Sequence, residues 1–281
     1  HLPGSWPVRT ILITGCSTGI GHATALACRA AGWRVFASAR KAADVERLQG
    51  EGFEAVQLDL DDSASIATAL AWVLERSGGT LDALFNNAGY GQPGAIEDLP
   101  RMAWREQFES NLFGPIELTA AVLPVMRRQG HGRILFNSSV LGYAALPLRG
   151  AYNASKFAME GMVDTLRLEL AGSGIEAVLI EPGPIIARFR ANSLLALRKH
   201  VDTSCGAHAA SYALMEERLA KEGAAVKYTL PAEAVAEAAL QALDSRVPRT
   251  RYPVTVPAKL FRVLNRLLPD RLLDRIKGGT V

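Results

Sequence analysis

Three cysteines in 281 residues, Cys16, Cys28 and Cys205, are too few and too scattered to staple a fold. Their number is odd and no pair sits at metal-ligand spacing, a usage that belongs to reduced thiols. Cys205 has His200 and His208 nearby, but the carboxylate or second cysteine pair of a metal site is missing, so no metal is expected. No stretch approaches the roughly 18 to 20 apolar residues of a spanning helix, and His1-Leu2-Pro3-Gly4-Ser5 lacks the basic and then apolar order of a signal peptide. These absences predict a soluble, cytoplasmic protein whose first six or seven residues take no part in the fold. Charge of one sign is scarce too: the formal net charge is only +3, and no nucleic-acid partner is expected. The balance is uneven, because Arg246 to Lys277 holds nine Lys or Arg against two Asp.

Hydrophobic side chains make up 49% of the chain, enough for one large core, so one domain over 8–257 with a tail over 258–281 is expected. Val8 to Thr14 is a short apolar run that ends in Thr14-Gly15-Cys16-Ser17-Thr18-Gly19-Ile20-Gly21, and a helical pattern follows at once. Strand, glycine turn and helix in that order offer bare N–H groups and a helix N-terminus to an anionic phosphate. Small residues are needed there because a β-carbon would hold the phosphate away.

The second apolar run, Trp33 to Ala39, ends where a dinucleotide fold meets the adenosine ribose. An Asp or Glu there would accept from a ribose 2′-hydroxyl; this chain has Ala39, Arg40 and Lys41. Two cations without a carboxylate match a 2′-phosphate, which predicts NADP(H) in preference to NAD(H), unless both are simply solvated surface charges. A third run, Phe53 to Leu58, leads to Asp59, placed to accept from an adenine amino group or to open the next helix as a cap. The fourth, Leu81 to Phe85, precedes Asn86-Asn87-Ala88-Gly89, amides that can tie loops to the sheet beside small residues that leave room for a ribose.

Arg101 to Gln129 reads as one long helix bent near Pro115, with Asn111 inside it. Gly132 to Ser139 is the fifth strand, Tyr152 to Ala171 a helix, and Ile175 to Glu181 the sixth strand, followed by Pro182-Gly183-Pro184-Ile185. Strands with continuous apolar centres alternating with helices indicate a doubly wound parallel sheet covered on both faces. Residues 184–228 carry no strand signal and lie beyond a strand's C-terminal end, where such sheets bind ligands. They read as a helical lid, whose Phe189, Leu194, Leu195, Leu197, Tyr212, Leu214 and Met215 form either an apolar substrate wall or a plain packed insertion. Pro231 to Leu243 is a further helix and Arg251 to Val256 a last strand. In the tail, Leu260, Val263, Leu264, Leu267 and Leu268 follow amphipathic helical spacing beside Lys259, Arg262 and Arg266. Packing on the same subunit, an oligomer contact and a membrane-surface face compete for this stripe, in that order.

Tyr152 and Lys156, four apart, share one helix face. A phenol of pKa about 10 is a poor base near neutrality, but an adjacent buried cation favours the phenolate, making Tyr152 a candidate general acid/base. Ser139 can donate to a substrate oxygen whose charge grows during reaction. Taken alone, the pair is also what a packed ring beside a solvated amine would look like.

Together these residues resemble the short-chain dehydrogenase/reductase family, in its single-domain branch. Thr14-Gly15 through Gly19-Ile20-Gly21, Asn86-Asn87-Ala88-Gly89, Asn111, Ser139, Tyr152 with Lys156, and Pro182-Gly183 stand in the family's order and separation between Ile11 and Ala187. The resemblance implies a Rossmann fold and hydride transfer between a nicotinamide cofactor and a carbonyl carbon. It implies that Tyr152 exchanges the proton, Ser139 polarises the substrate oxygen, Lys156 lowers the tyrosine pKa and holds the nicotinamide ribose, and Asn111 keeps a water behind Lys156. Cofactor contacts are expected from Gly15, Ser17, Thr18, Gly19, Ile20, Gly21, Arg40, Asp59, Asn87, Ala88, Gly89, Tyr152, Lys156, Pro182, Gly183 and Ile185. Substrate contacts are expected from Ser139, Leu141, Tyr143, Tyr152 and Phe189. Ala187 departs from the family's threonine, which removes one cofactor hydrogen bond, about 0.5–1.5 kcal/mol. Dimers or tetramers built on the two long helices are implied, as are lipophilic substrates of steroid, retinoid or lipid type. An alternative of another class is a catalytically silent nucleotide-sensing or scaffolding protein on the same fold.

Overall fold

The computed structural model describes residues 8–224 and 226–278; the expectation for the first residues lies outside them. Strands β1 (Thr10–Ile13), β2 (Arg34–Ala39), β3 (Glu54–Gln57), β4 (Ala83–Asn86), β5 (Gly132–Asn137) and β6 (Ile175–Pro182) alternate with helices α1 (Gly19–Ala30), α2 (Ala42–Gly50), α3 (Ser63–Ser77), α4 (Arg101–Phe108), α5 (Gly114–Gln129) and α6 (Gly150–Glu169). After β6 come β7 (Ile185–Ile186), α7 (Phe189–His200), α8 (Ala209–Ala220), β8 (Leu230–Pro231), α9 (Ala232–Asp244), β9 (Arg251–Val254), α10 (Val256–Leu267) and α11 (Asp270–Lys277). Seven strands form one parallel sheet in the order β3-β2-β1-β4-β5-β6-β9. This is a Rossmann-like doubly wound fold, and the order reverses between β1 and β4, where a crevice opens beyond the strand ends.

The alternation of side chains along each strand divides the core into two layers. Ile11, Ile13, Phe85, Leu135 and Ile180 pack on one face with α1, α2 and α9, while Leu12, Leu84, Phe136 and Leu179 pack on the other with α3, α5 and α6. Every residue of β1 and β4 is buried, and apart from Thr10 and Asn86, whose side chains are hydrogen-bonded, all are apolar.

The span 101–129, expected as one helix, is helical throughout, with a π turn, Glu109–Phe113, that contains Asn111 and separates α4 from α5. Pro115 stands two residues beyond the π turn, so the irregularity falls beside the proline where the bend was expected. Residues 184–228 are not strand-free: Ile185 and Ile186 pair with Leu230 and Pro231 and tie the root of the lid to the start of α9. Leu197, Tyr212 and Met215 pack with Leu99, Ala103, Leu148 and Val201. The Tyr212 hydroxyl donates to Asp98 at 2.6 Å and accepts from the Ala95 N–H. Three of the seven residues of the predicted substrate wall therefore fix the lid to the body, and Met215 among them also lines the cavity.

The tail also differs. On α10 the apolar stripe Val256, Leu260, Val263 and Leu267 is 51–73% exposed, and Ala258, Arg262 and Asn265 face the body instead. The reason is charge. Glu181, at the end of β6, is completely buried, and Glu160 of α6 nearly so; Arg262 and Arg251 bridge both. Burying two carboxylates without cations would cost several kcal/mol, so the arginine face turns inward; of the predicted stripe, Leu264 and Leu268 are half-buried while Leu260, Val263 and Leu267 face outward.

Candidate active site

A cavity of about 840 Å³ lies beyond the C-terminal strand ends and runs from the glycine turn to the lid. All the residues predicted from the sequence to contact cofactor or substrate line it except Gly21 and Tyr143, and Asn111 stands behind it. Gly15 has φ +68°, and a β-carbon there would come 2.8 Å from Ala88 Cα. A β-carbon at Gly21 would collide with the Gly15 carbonyl and come within 2.6 Å of Asn87 Nδ2, so this glycine lets α1 approach the turn without itself reaching the cavity. Thr18, ahead of α1, makes no side-chain cap, and helix N-termini of this kind suit a phosphate as acceptor.

The two amides after β4 fasten this turn. Asn87 Nδ2 donates to the Thr14 and Gly15 carbonyls at 3.0 and 3.2 Å, Asn137 Nδ2 donates to Asn87 Oδ1, and Asn86 reaches Thr119. Thr14 Oγ1 accepts from the N–H groups of Asn87 and Ala88. Arg40 follows β2 exposed at the cavity rim, its carbonyl held by Gln57 Nε2, whereas Lys41 does not reach the lining. Asp59 reaches it with one carboxylate oxygen accepting from the Asp61 N–H; the helix cap is Asp62, which accepts from the Ala64 N–H.

Tyr152 and Lys156 leave the first two turns of α6 on one face, with the ammonium 5.8 Å from the ring centroid. Burial pushes the Tyr152 phenol up to about 12, opposed by a hydrogen bond with Ser139. Burial also lowers the Lys156 amine to about 8, opposed by Glu160. Desolvation is the largest influence on both groups and favours the neutral form of each. Lys156 Nζ donates to the Asn137 carbonyl at 2.7 Å. Asn111 is fully buried and spends its side chain on structure: it brackets the Tyr90 backbone through both amide atoms and donates to Ser155 Oγ at 3.2 Å.

Between Ser139 and α6 the chain makes a short 3₁₀ turn, Val140–Gly142. Asn153, next to the tyrosine, staples this loop to the helix by donating to the Leu141 and Ala144 carbonyls and accepting from the Leu146 N–H. That leaves Leu141 and Leu146 on the cavity wall, opposite Phe189, whose ring centroid lies 5.4 Å from that of Tyr152. Tyr143 points elsewhere. Its hydroxyl donates to the Ala258 carbonyl and its ring lies under Arg262, so it belongs to the seat of α10 and is withdrawn from the substrate contacts.

Sequence reasoning passed over Arg149, Arg190, Ser193 and Arg218, all of which line the lid end of the cavity. Arg149 immediately precedes the tyrosine-bearing helix, a position that could have flagged it. The expected absence of a metal centre is not tested by geometry, but His200 pairs with Glu106, His208 with Glu97 and Cys205 with Asp202, so the three side chains do not converge.

The family profile described as short chain dehydrogenase matches residues 9–196. YbbO of Escherichia coli (strain K12), called an uncharacterized oxidoreductase, is 40% identical over 99% of this chain and 97% of its own length. The NADPH-dependent 3-dehydrocapnine reductase of Ornithobacterium rhinotracheale is 32% identical over 96% of both chains. Among solved structures, a short-chain dehydrogenase from Streptomyces avermitilis superimposes with a TM-score of 0.77 at 29% identity, covering 97% of this chain and 94% of that one.

Proposed function

The chain belongs to the short-chain dehydrogenase family and is an oxidoreductase of CH–OH and C=O groups, and on that premise we propose that it reduces apolar ketones or aldehydes with NADPH or runs the reverse oxidation. The observation that carries the reading is one cavity lined by both the glycine turn and the Ser139, Tyr152 and Lys156 set, with Leu141, Leu146 and Phe189 as its apolar wall. The catalytically silent alternative is not favoured, since it predicts damage to that set.

The nicotinamide, when bound, supplies or accepts the hydride. Gly15, Gly19 and the open N-terminus of α1 would hold its pyrophosphate, Asn87 to Gly89 the adjoining ribose, and Arg40 a 2′-phosphate. On the protein side, Tyr152 holds the proton that passes to the substrate oxygen, and Ser139 donates to the same oxygen as it becomes negative. A phenol kept neutral by burial is suited to be the acid of carbonyl reduction. Lys156, anchored on the Asn137 carbonyl, stands where its charge steadies the phenolate once the proton has left. Asn111 acts through position, fixing the loop of Tyr90 against α6. The preference for NADP(H) rests on Arg40 without a neighbouring carboxylate at the end of β2, and a relative bearing the name NADPH-dependent supports it.

NADPH oxidation against a panel of lipophilic carbonyls tests the reading, with Tyr152→Phe as control. The variant should lose at least about a hundredfold in kcat. Full activity in Tyr152→Phe would refute the mechanism, and a clear preference for NADH would refute the cofactor assignment.

A further inference from the structure

The lid end of the cavity has a chemistry that a purely apolar substrate would leave unused. Arg149 at the head of α6, Arg190 in the first turn of α7 and Arg218 on α8 come from three separate elements and line the same space. Ser193 lines it too, one turn beyond Arg190. It is 3% exposed, and its hydroxyl has no hydrogen-bond partner among the described residues; neither has the buried Nη1 of Arg190. Arg190 Nη2 donates to the Gly223 carbonyl and Arg149 Nη1 to the Pro147 carbonyl, so backbone contacts aim the side chains without neutralising them.

The arginines also act on one another. Arg149 is lowered to about 10, by burial first and then by the charge of Arg218; Arg218 is lowered by burial and then by Arg190. Of the carboxylates that line the cavity among the described residues, Asp59 and Asp61 follow β3, and Glu106 is occupied by Lys199 and His200. Leu148, buried and with φ +59°, holds a left-handed conformation that β-carbons disfavour, and it turns the chain directly into Arg149. A buried hydroxyl and a guanidinium nitrogen without partners among the described residues, facing a partly dry cavity, favour an anionic ligand.

We infer that Arg149, Arg190, Arg218 and the Ser193 hydroxyl form an oxyanion-binding subsite, and that the natural substrate is a lipophilic carbonyl or alcohol bearing an acidic group such as a carboxylate, sulfonate or phosphate. The apolar part lies along Leu141, Leu146 and Phe189, and the acid end reaches the arginines. This deepens the oxidoreductase reading and rests on it for the position of the reacting carbon.

The test compares a long-chain ω-oxo fatty acid with its neutral methyl ester as substrates, using the wild type, Arg190→Gln and Arg218→Gln. The wild type should favour the acid in kcat/KM by about tenfold or more, and each variant should shrink the acid-to-ester ratio by about tenfold. Equal kcat/KM for acid and ester in the wild type, or an unchanged ratio in both variants, overturns the subsite. Calorimetric binding of laurate against lauryl alcohol is read in parallel, so the arginine site is decided even for a chain that reduces neither carbonyl. Laurate binding that is weakened in the variants supports the subsite, and a loss of NADPH affinity with laurate binding intact assigns the arginines to the cofactor and overturns it.

Discussion

Lys156 is held at a cost. Below about pH 8 it is charged in both the folded and the unfolded chain, and the folded chain bears the whole penalty of burying that charge; above about pH 10.5 it is neutral in both and the penalty is gone. The lysine therefore depresses stability at neutral pH, and stability recovers as pH rises through that window. Lys156→Met should abolish activity while stabilising the fold by about 1–2 kcal/mol at pH 7, after allowance for the lost bond to the Asn137 carbonyl. Denaturant titrations should find that gain shrinking toward pH 10.5; a gain independent of pH would mean that burial of the charge is not its source. At this scale, legibility followed chemistry. Tyr152, Lys156 and the glycines could be read because their types and spacings are demanded by what they contact. Tyr143 could not: its place depends on Arg262, 119 positions away in sequence.

Helices α10 and α11 carry an outward apolar stripe, Leu260, Val263 and Leu267 continuing into the half-exposed Leu272 and Ile276, flanked by Lys259, Arg266, Arg271 and Arg275. We propose an anionic membrane surface as its contact. The full chain should sediment with phosphatidylserine vesicles, and a Leu260→Asp, Leu267→Asp double variant should lose most of that binding; equal sedimentation of both would dismiss the contact. Cutting the chain near Val256 is a poor test, because it also removes Arg262 from buried Glu181. Replacing that arginine alone, Arg262→Met, should destabilise the fold by about 3 kcal/mol, readable as a lowered urea midpoint, and an unchanged midpoint would argue that Arg251 suffices. The amphipathic period of α10 was plain in the sequence. Its direction was not, since two glutamates on distant elements decide which face turns in. The π turn was equally hidden, because nothing local in Glu109–Phe113 distinguishes it from an α-helix.

For the whole molecule, the parallel sheet and its crossing helices were legible because apolar runs of strand length alternate with helical periods from Thr10 to Pro182. The packing of the lid was not, because a leucine or tyrosine on a short helix reads alike whether it faces a substrate or Leu99. One surface remains to be covered. Met102, Phe113, Phe157 and Leu168, on α4, the π turn and α6, are 47–75% exposed, and we propose that a second copy of the chain packs there. Phe157→Asp should yield a smaller species in sedimentation velocity; a wild type that is already monomeric dismisses the interface.

The attachment of α10 has a thermodynamic consequence. The helix is held by Arg262, Asn265 and the Tyr143 hydroxyl, and none of its leucines joins a core cluster. Release of α10 would expose the polar contacts of Arg262 and Asn265 with only Ala258 as a fully buried apolar residue of that helix, so the polar surface that lowers heat capacity offsets the apolar surface that raises it. Undocking thus adds little to the heat-capacity change, and its cost to the rest of the fold lies in parting Arg262 from the buried Glu181 and Glu160.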